Sequence, residues 1–285
     1  MFKNYGLIDV PPHQKDYRLG SIQRDINLES GNWSAFLPKL EIQRTTTYDT
    51  YACVTFSALN CLETLLNYRF GAEMNLSDRF TAKISGTIPG RGNYFGKVAH
   101  SIRHDGVLLE SQYPFAGDTV KKYYAEIPEN TPERDSKGFV SLRKEAQIFA
   151  KSLNIEYEWV DYGGVTNDSL RASLKSSPVQ VSYKTGGKRV DGVYQNVQGQ
   201  PNHAVMLYKM DKKGNKWIYD HYENSIKKLA PNVYIGAALQ YHVAKKIGVT
   251  TFVRLFKEKF GAYSWKGRTN THYWLEYEKT GTLPF

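Results

Sequence analysis

A run of apolar residues at helical spacing constrains this fold more than any other feature of the sequence. Between Tyr51 and Phe70 the apolar side chains recur every three or four positions, which predicts a long buried helix. Gly71 is placed to end that helix, because glycine readily takes the left-handed conformation of a helix C-cap. The chain has 285 residues, enough for one large domain or for a domain with an appendage.

The pattern changes along the chain. Pro11, Pro12 and Pro38 forbid a long helix in the first 50 residues, which we expect to be extended chain and turns. Further on, helical spacing gives way to strand-like spacing after Gly163. The predicted elements are helices at residues 97–104 and 141–153, a short helix capped by Asn167 or Asp168, a strand at 178–183, and a hairpin of 204–210 and 216–222.

Composition is that of an ordinary globular protein, with 41% hydrophobic and 23% charged residues. No stretch approaches a membrane span in length, and the first residues lack the apolar segment of a signal peptide. Cys53 and Cys61 lie on one predicted helix, roughly 12 Å apart at a rise of about 1.5 Å per residue, which is too far for a disulfide. These features predict a cytoplasmic protein in a reducing compartment.

The formal net charge of +10 raises the question of a nucleic-acid partner. The lysines, however, form scattered pairs next to polar or turn residues. These pairs are Lys121–Lys122, Lys212–Lys213, Lys227–Lys228 and Lys245–Lys246. We therefore expect solvated surface charge, with no specific nucleic acid and no membrane as partner. Docking onto an acidic partner stays open as the alternative.

Cys53 and His203 each stand at the beginning of a predicted element. Cys53 opens the long helix, where unpaired backbone N–H groups and the partial positive charge of the helix terminus favour a thiolate. His203 opens the first hairpin strand, and the hairpin turn brings Asp220 back toward it. A carboxylate there can fix the orientation and tautomer of the imidazole while the other ring nitrogen faces the thiol. The three residues are candidates for nucleophile, base and orienting group.

Each of these residues also has a purely structural interpretation. A free cysteine is usually a small buried hydrophobe, which suits Cys61 better than Cys53 because Cys61 lies well inside the helix. His203 alone fits an ordinary strand-edge residue, and Asp220 alone fits a turn or surface acid. Their joint placement favours the catalytic interpretation.

An ordered series of short motifs resembles the papain family of cysteine peptidases, specifically its compact bacterial and phage-encoded branch without a long propeptide. The likeness covers about residues 5 to 225. The motifs that carry it are Pro11-Pro12 to Asp16-Tyr17, Leu37-Pro38, Cys53 to Ala58, Leu76-Ser77, Gly106-Val107, Glu110 to Phe115, Ser169-Leu170, Pro178-Val179, Gly192 to Tyr194, Asn202 to Val205 and Trp217 to Asp220. No single motif is specific, but their order is that of the family.

The chain departs from the family pattern at several site positions. Asp220 replaces the family's orienting asparagine, and Tyr222 replaces the neighbouring tryptophan. The family's oxyanion-stabilising glutamine usually stands six residues before the nucleophile, where this chain has Thr47. Counting instead from Leu37-Pro38 assigns that role to Gln43, with about four residues inserted before Cys53. A solvent-facing loop glutamine is the alternative interpretation of Gln43.

Gly92 and Asn93 lie near the place where the family pairs glycine-rich backbone with an extended substrate. Glycine permits close backbone approach, and pairing through the main chain tolerates many substrate sequences. Together with Tyr222, they are the candidate substrate-binding residues. A simple turn is the alternative for Gly92 and Asn93.

The resemblance implies a papain-like, two-lobed α+β fold, with a helical lobe holding Cys53 and a twisted antiparallel sheet holding His203 and Asp220. It implies a peptidase domain at residues 1–230 that cleaves a peptide or protein substrate through a thioester, with no metal and no other cofactor. Residues 231–285 then form an extension, amphipathic at 250–260. We expect the extension to pack on the domain, and docking of a virion or other protein partner is the alternative.

Two further functions stay open. A catalytically inactive papain-like module, such as a structural component of a phage particle, would explain the altered region before Cys53. A thiol amidase acting on peptidoglycan stem peptides would use the same three residues, because fold does not fix the substrate.

Overall fold

Helices dominate the first half of the chain and strands dominate the second half. The computed structural model describes residues 5–71, 73–125, 142–223 and 225–243. The helices are α1 (Cys53–Phe70), α2 (Asp78–Ile84), α3 (Phe95–His104), α4 (Val120–Tyr123), α5 (Leu142–Leu153) and α6 (Asn167–Leu174). The strands are β1 (Ile155–Tyr162), β2 (Val179–Tyr183), β3 (Arg189–Val190), β4 (Val193–Tyr194), β5 (His203–Met210), β6 (Lys216–Asp220), β7 (Ser225–Leu229) and β8 (Ile235–Val243).

The long predicted helix is confirmed as α1. Every residue from Cys53 to Leu66 is buried, because α1 packs on β2, β5 and β8 as well as on α2 and α3. Gly71 ends the helix as predicted, with φ of 60° and its N–H donated to the Asn67 carbonyl. Although α1 is long, no helix in the described part of the chain combines the length and apolarity needed to cross a membrane.

The strands form a single sheet in the order β1-β8-β2-β5-β6-β7-β4-β3. Neighbouring strands are antiparallel except β4 and β7, which pair in parallel. The predicted hairpin is β5 and β6, with Met206 opposite Tyr219. His203 at the start of β5 and Asp220 at the end of β6 therefore lie side by side at the same end of this strand pair. The α+β class is confirmed.

The sheet extends past the boundary at residue 230 that the sequence suggested. β8 lies between β1 and β2 inside the sheet, so residues 235–243 belong to the body of the domain. Residues 244–285, including the amphipathic stretch 250–260, lie outside the described residues. Docking of a partner by that segment stays a prediction.

Candidate active site

Cys53 is the first residue of α1, and the turn before it is held in an unusual conformation. Tyr51 has φ of 56°, and its N–H donates to Asp49 Oδ1 at 2.8 Å. Ala52, at the N-cap, offers no side chain to accept hydrogen bonds from the first turn. The first turn of the helix therefore has no side-chain cap beside the thiol.

The Cys53 thiol is fully buried, with 0% of the residue exposed. Burial is the main cause that raises the pKa of this thiol well above its usual value. Hydrogen bonds from the backbone N–H groups of Ala204 and Val54 lower that pKa, whereas the charges of Asp49 and Asp220 raise it. Because Ala204 follows His203, the thiol lies against the start of β5. In this arrangement burial favours the neutral form of the thiol.

Cys61 lies two turns further along α1 and is also buried. Burial raises the pKa of its thiol well above the usual value, and the nearby charge of Glu63 raises it further. None of the described hydrogen bonds links Cys61 to His203 or Asp220. The surroundings of Cys61 therefore fit a small buried hydrophobe, as the sequence suggested.

His203 and Asp220 form a buried pair where β5 begins and β6 ends. Nε2 of His203 lies 3.0 Å from Oδ1 of Asp220, and each side chain is 1% exposed. Among the described residues, His203 Nδ1 has no hydrogen-bond partner. The carboxylate therefore fixes the imidazole through one nitrogen and leaves the other available for proton transfer. Burial alone would raise the pKa of Asp220, but the charges of His203 and Lys227 and the hydrogen bond with His203 lower it well below its usual value.

Tyr222 covers this pair. Its ring meets the His203 ring edge-on, with the centroids 5.9 Å apart, and its backbone N–H donates to Asp220 Oδ1 at 2.9 Å. Only 5% of Tyr222 is exposed. The ring thus shields the bond between imidazole and carboxylate from water, which suits a residue in place of the family's tryptophan.

Gln43 lies in the site, whereas Thr47 lies on the surface. Gln43 is 0% exposed, and its Nε2 donates to Asp49 Oδ1 at 3.0 Å and to the Tyr5 carbonyl at 2.9 Å. Thr47 is exposed in the loop that the bridge between Arg44 and Asp49 closes. The role of Gln43 as an oxyanion donor stays a prediction.

The backbone of Asn93 pairs with an extended segment. Its N–H donates to the Gly6 carbonyl at 3.0 Å, and its carbonyl accepts from Ile8 N–H at 2.8 Å. The Asn93 side chain instead anchors the loop by donating to Ser85 and Thr87. A Cβ at Gly92 would lie 1.8 Å from the Gly6 carbonyl oxygen, so the close approach requires glycine. The backbone of Asn93 thus pairs with the chain itself, and pairing of Gly92 and Asn93 with a substrate stays a prediction.

We call residues 5–8 the cleft strand, because they bridge the two lobes across the site. The Tyr5 N–H donates to the carbonyl of Asn202 at 3.2 Å, next to His203 in sequence. The Tyr5 ring centroid lies 5.3 Å from that of His203 and 4.5 Å from that of Tyr222. Since the cleft strand already occupies Gln43 and the backbone of Asn93, an incoming peptide can reach these groups only after displacing it.

Lys227 is a site residue that sequence reasoning misplaced. The scattered lysine pairs predict a surface position, but Lys227 is only 6% exposed, and its Nζ lies 2.7 Å from Asp220 Oδ2. Its neighbour Ile226 is 50% exposed, so β7 turns an isoleucine outward and a lysine inward. The surface expectation is wrong because alternation along a strand fixes which side faces the core, and here a buried carboxylate stabilises the inward ammonium.

His221 is a second residue that the sequence did not single out. It is 0% exposed, its ring stacks on Phe56 with centroids 5.2 Å apart, and it lies 5.4 Å from the His203 ring. Neither ring nitrogen has a hydrogen-bond partner within the described ranges. Burial, followed by the charge of His203, lowers the pKa of His221 to about 3. It is therefore a neutral ring packed behind the site.

A cavity of about 240 Å³ opens beside His203 on the sheet side. Its walls combine aromatic and aliphatic side chains, such as Tyr183, Tyr194 and Leu229, with polar and charged ones, such as Gln195 and Glu223. This space can take a substrate group next to the imidazole. Elsewhere in the described ranges, His, Cys, Asp and Glu side chains form no group suited to holding a metal ion.

Solved structures of cysteine proteases share this fold. Digestive procathepsin L 3 from the larval midgut of Tenebrio molitor aligns with a TM-score of 0.53 at 16% identity, over 84% of this chain and 76% of that one. Bromelain from Ananas comosus, in complex with the inhibitor E64, aligns with 0.53 at 15% identity, over 75% and 98%. The proform of the ragweed pollen allergen Amb a 11 aligns with 0.51 at 16% identity, over 79% and 68%. The predicted papain-like fold is confirmed.

The sequence itself matches no family model and no curated protein. Likeness at 15% and 16% identity establishes the fold, and function must be argued from the site. These neighbours come from an insect and from plants, so the bacterial and phage branch stays a prediction.

Proposed function

We propose that this chain is a cysteine peptidase in which Cys53 is the nucleophile, His203 the general base and acid, Asp220 the orienting group, and Gln43 an oxyanion donor. One observation carries the proposal. His203 is held through Nε2 by a buried carboxylate, keeps Nδ1 unpaired among the described residues, and precedes Ala204, whose backbone N–H hydrogen-bonds the Cys53 thiol at an uncapped helix start. That combination is what thiol acyl transfer requires.

The reaction begins when His203 Nδ1 takes the thiol proton, which forms a thiolate–imidazolium pair, and the Cys53 thiolate then attacks the carbonyl carbon of the scissile amide. The oxyanion that forms accepts hydrogen bonds from Gln43 Nε2 and from the backbone N–H of Cys53. Imidazolium then protonates the leaving amine, and the C–N bond breaks to give a thioester. Water, deprotonated by His203, attacks the thioester, which releases a carboxylic acid product and restores the thiol.

The substrate is an extended peptide or protein segment. The cleft strand supports this, because Gly6 and Ile8 already make two backbone hydrogen bonds to Asn93. Pairing of this kind uses only main-chain atoms, so it tolerates many side chains. Selectivity must then come from pockets such as the cavity beside His203.

The test compares two cysteine variants with the wild-type protein. Cys53→Ala should abolish both cleavage of fluorescently labelled casein and labelling by a peptide electrophile that targets cysteine peptidases. Cys61→Ala should leave both largely intact, because Cys61 is buried two turns inside α1. Equal loss in two variants that both fold would refute the assignment of Cys53.

A second candidate function is an inactive papain-like module, and the occupied cleft favours it. The cleft strand fills the site, and burial raises the pKa of the Cys53 thiol, as in a scaffold that needs no reactive thiolate. Alkylation of Cys53 by iodoacetamide as a function of pH separates the two. A peptidase should show fast alkylation that persists well below pH 8, whereas a scaffold should react slowly and with the rising profile of an ordinary thiol.

A further inference from the structure

The carboxylate of Asp220 is shared between an imidazole and an ammonium group. Oδ1 lies 3.0 Å from His203 Nε2, and Oδ2 lies 2.7 Å from Lys227 Nζ. The exposed fractions of the three side chains are 1% for His203, 1% for Asp220 and 7% for Lys227. Each of these charges therefore acts on the imidazole more strongly than it would from an exposed position.

We propose that Lys227 is a positioning residue of the catalytic site, which balances the charge of Asp220 so that the pair acts on His203 as a neutral hydrogen-bond acceptor. The inference rests on the proposed peptidase function. In the family that the sequence resembles, an uncharged asparagine orients the imidazole. Here an aspartate and a lysine together supply the same acceptor with the same net charge.

This charge balance matters because a carboxylate without a second cation would stabilise the imidazolium form of His203 too strongly. In a buried site the attraction between opposite charges a few ångströms apart is strong. An uncompensated Asp220 would therefore hold the proton on His203 and make its transfer to the leaving amine harder. An ammonium on the other carboxylate oxygen offsets that attraction and leaves the hydrogen bond to Nε2 intact.

Lys227 remains charged in this position. Burial would lower the pKa of its ammonium, but Asp220 and Glu223 together raise it. Glu223 Oε2 lies 2.7 Å from Nζ, but its side chain is 52% exposed, so solvent screens its charge more than that of Asp220. The Tyr194 ring, 5.3 Å from Nζ, adds a further contact that favours a cation.

Other titratable groups also face the pair, and the test must leave them in place. His221 adjoins Asp220 in sequence, and Cys53, the first residue of α1, lies against the start of β5. Tyr183 on β2 faces the carboxylate, and the ring of Tyr194 on β4 faces the ammonium. Tyr5 and Tyr222 cover the imidazole. Because every variant below keeps these groups, their influence cancels in the comparison.

The experiment is a charge-compensation cycle at Asp220 and Lys227. Wild type, Lys227→Met, Asp220→Asn and the double variant are assayed from pH 4 to 10 with labelled casein well below saturation, where initial rates are proportional to kcat/KM. The alkaline limb of this profile reports loss of the imidazolium proton. Methionine keeps the apolar stem of lysine, and asparagine keeps the acceptor oxygen.

Lys227→Met should move the alkaline limb up by about one pH unit and lower the plateau rate about tenfold, because the imidazolium is held by an unbalanced carboxylate. Asp220→Asn should move the limb down by a similar amount, because it leaves a buried ammonium near the imidazole. The double variant should return the limb close to its wild-type position at a lower plateau rate, and Lys227→Arg, which keeps the charge, should leave the limb close to its wild-type position.

A purely structural role for Lys227 predicts a different result. Both single variants would then lose activity with the limb unmoved, and the double variant would be worse than either, which would overturn the inference while leaving the peptidase intact. If wild-type protein that labels at Cys53 only as an ordinary thiol also fails to cleave casein, the proposed function falls first and the inference with it. If a single variant fails to fold, the double variant and Lys227→Arg still decide the question.

Discussion

The two lobes shift the pKa values of their carboxyl groups in opposite directions. In the sheet lobe, His203 and Lys227 keep Asp220 ionised, and the pKa of Glu158 is lowered to about 2 because hydrogen bonds and charges outweigh its burial. In the helical lobe the buried acids lie close to one another. Burial is the main cause that raises the pKa of each of them, to about 7 for Glu110 and well above the usual value for Glu63 and Asp78.

The difference separates two uses of the same functional group. An ionised carboxylate can orient an imidazole and stabilise its positive charge, which suits the sheet lobe. A neutral carboxyl still accepts hydrogen bonds, as Glu63 does from Leu76 N–H at 2.7 Å and Glu110 from Phe115 N–H. Near the cleft, the helical lobe acts through uncharged groups, the Gln43 amide and the Asn93 backbone. Variants in the two lobes should therefore respond differently to pH.

The largest effect is expected at Gln43. If this lobe contributes an uncharged donor, Gln43→Ala should lower kcat by about a hundredfold or more, equivalent to about 2.7–4 kcal/mol of transition-state stabilisation. KM should change much less, because the donor is aimed at charge that develops only during the reaction. The measurement is kcat and KM at several pH values on one substrate, and the loss should be equal at every pH because an amide does not titrate.

Thr47→Ala is the matched control, since Thr47 is exposed on the inserted loop that follows Gln43. It should be close to wild type. A crippled Thr47→Ala beside a healthy Gln43→Ala would show that the alignment without insertion is right. A loss at Gln43 that varies strongly with pH would break the comparison between the lobes.

A smaller effect is expected where the cleft strand joins the two lobes. Gly6 has φ of +110°, and a Cβ there would lie 2.1 Å from the Tyr51 carbonyl oxygen, so Gly6→Ala should dislodge the strand. Backbone strain of this kind costs about 1–3 kcal/mol, and about 1.4 kcal/mol changes an equilibrium tenfold. We therefore expect Cys53 to be alkylated by iodoacetamide about tenfold faster in Gly6→Ala, measured at fixed pH by mass spectrometry.

Two other glycines control this experiment. Gly92→Ala should have the same effect from the opposite side, because its Cβ would meet the Gly6 carbonyl oxygen. Gly90→Ala shares the positive φ of +79° but has no heavy atom within 4 Å of the added Cβ, so it should leave labelling unchanged. If all three variants label at the wild-type rate, the cleft strand does not limit access to the thiol.

The sequence predicted the elements that carry the site better than the charges around it. α1, the hairpin of β5 and β6, and the relation of His203 to Asp220 follow from local periodicity and one turn, which a single sequence records. β8 reaches its place between β1 and β2 only through long-range pairing, and nothing local announces that. Lys227 was misplaced for a related reason, because its partner Asp220 belongs to another strand and the inward side of β7 is set by the sheet.

The smallest effect concerns the neutral acids of the helical lobe. The pKa of Glu110 is raised from 4.5 to about 7, mainly by burial, while the hydrogen bond from Phe115 and the charge of Arg79 lower it. Since the folded state then binds this proton more tightly than the unfolded state, the contribution of Glu110 to stability is complete below pH 4.5 and is lost as the pH rises to about 7.

Glu110→Gln cannot ionise, so its melting temperature should fall less than that of wild type between pH 4.5 and 7.5. With about 1 kcal/mol at stake after solvent screening, the difference should be about 2–4 °C. Asp118→Asn is the control, because hydrogen bonding to Lys122 lowers the pKa of Asp118 below 3.8 and places its effect outside this range. A wild-type slope retained in Glu110→Gln would show that this carboxyl is ionised like Asp220, and the contrast between the lobes would not hold at this position.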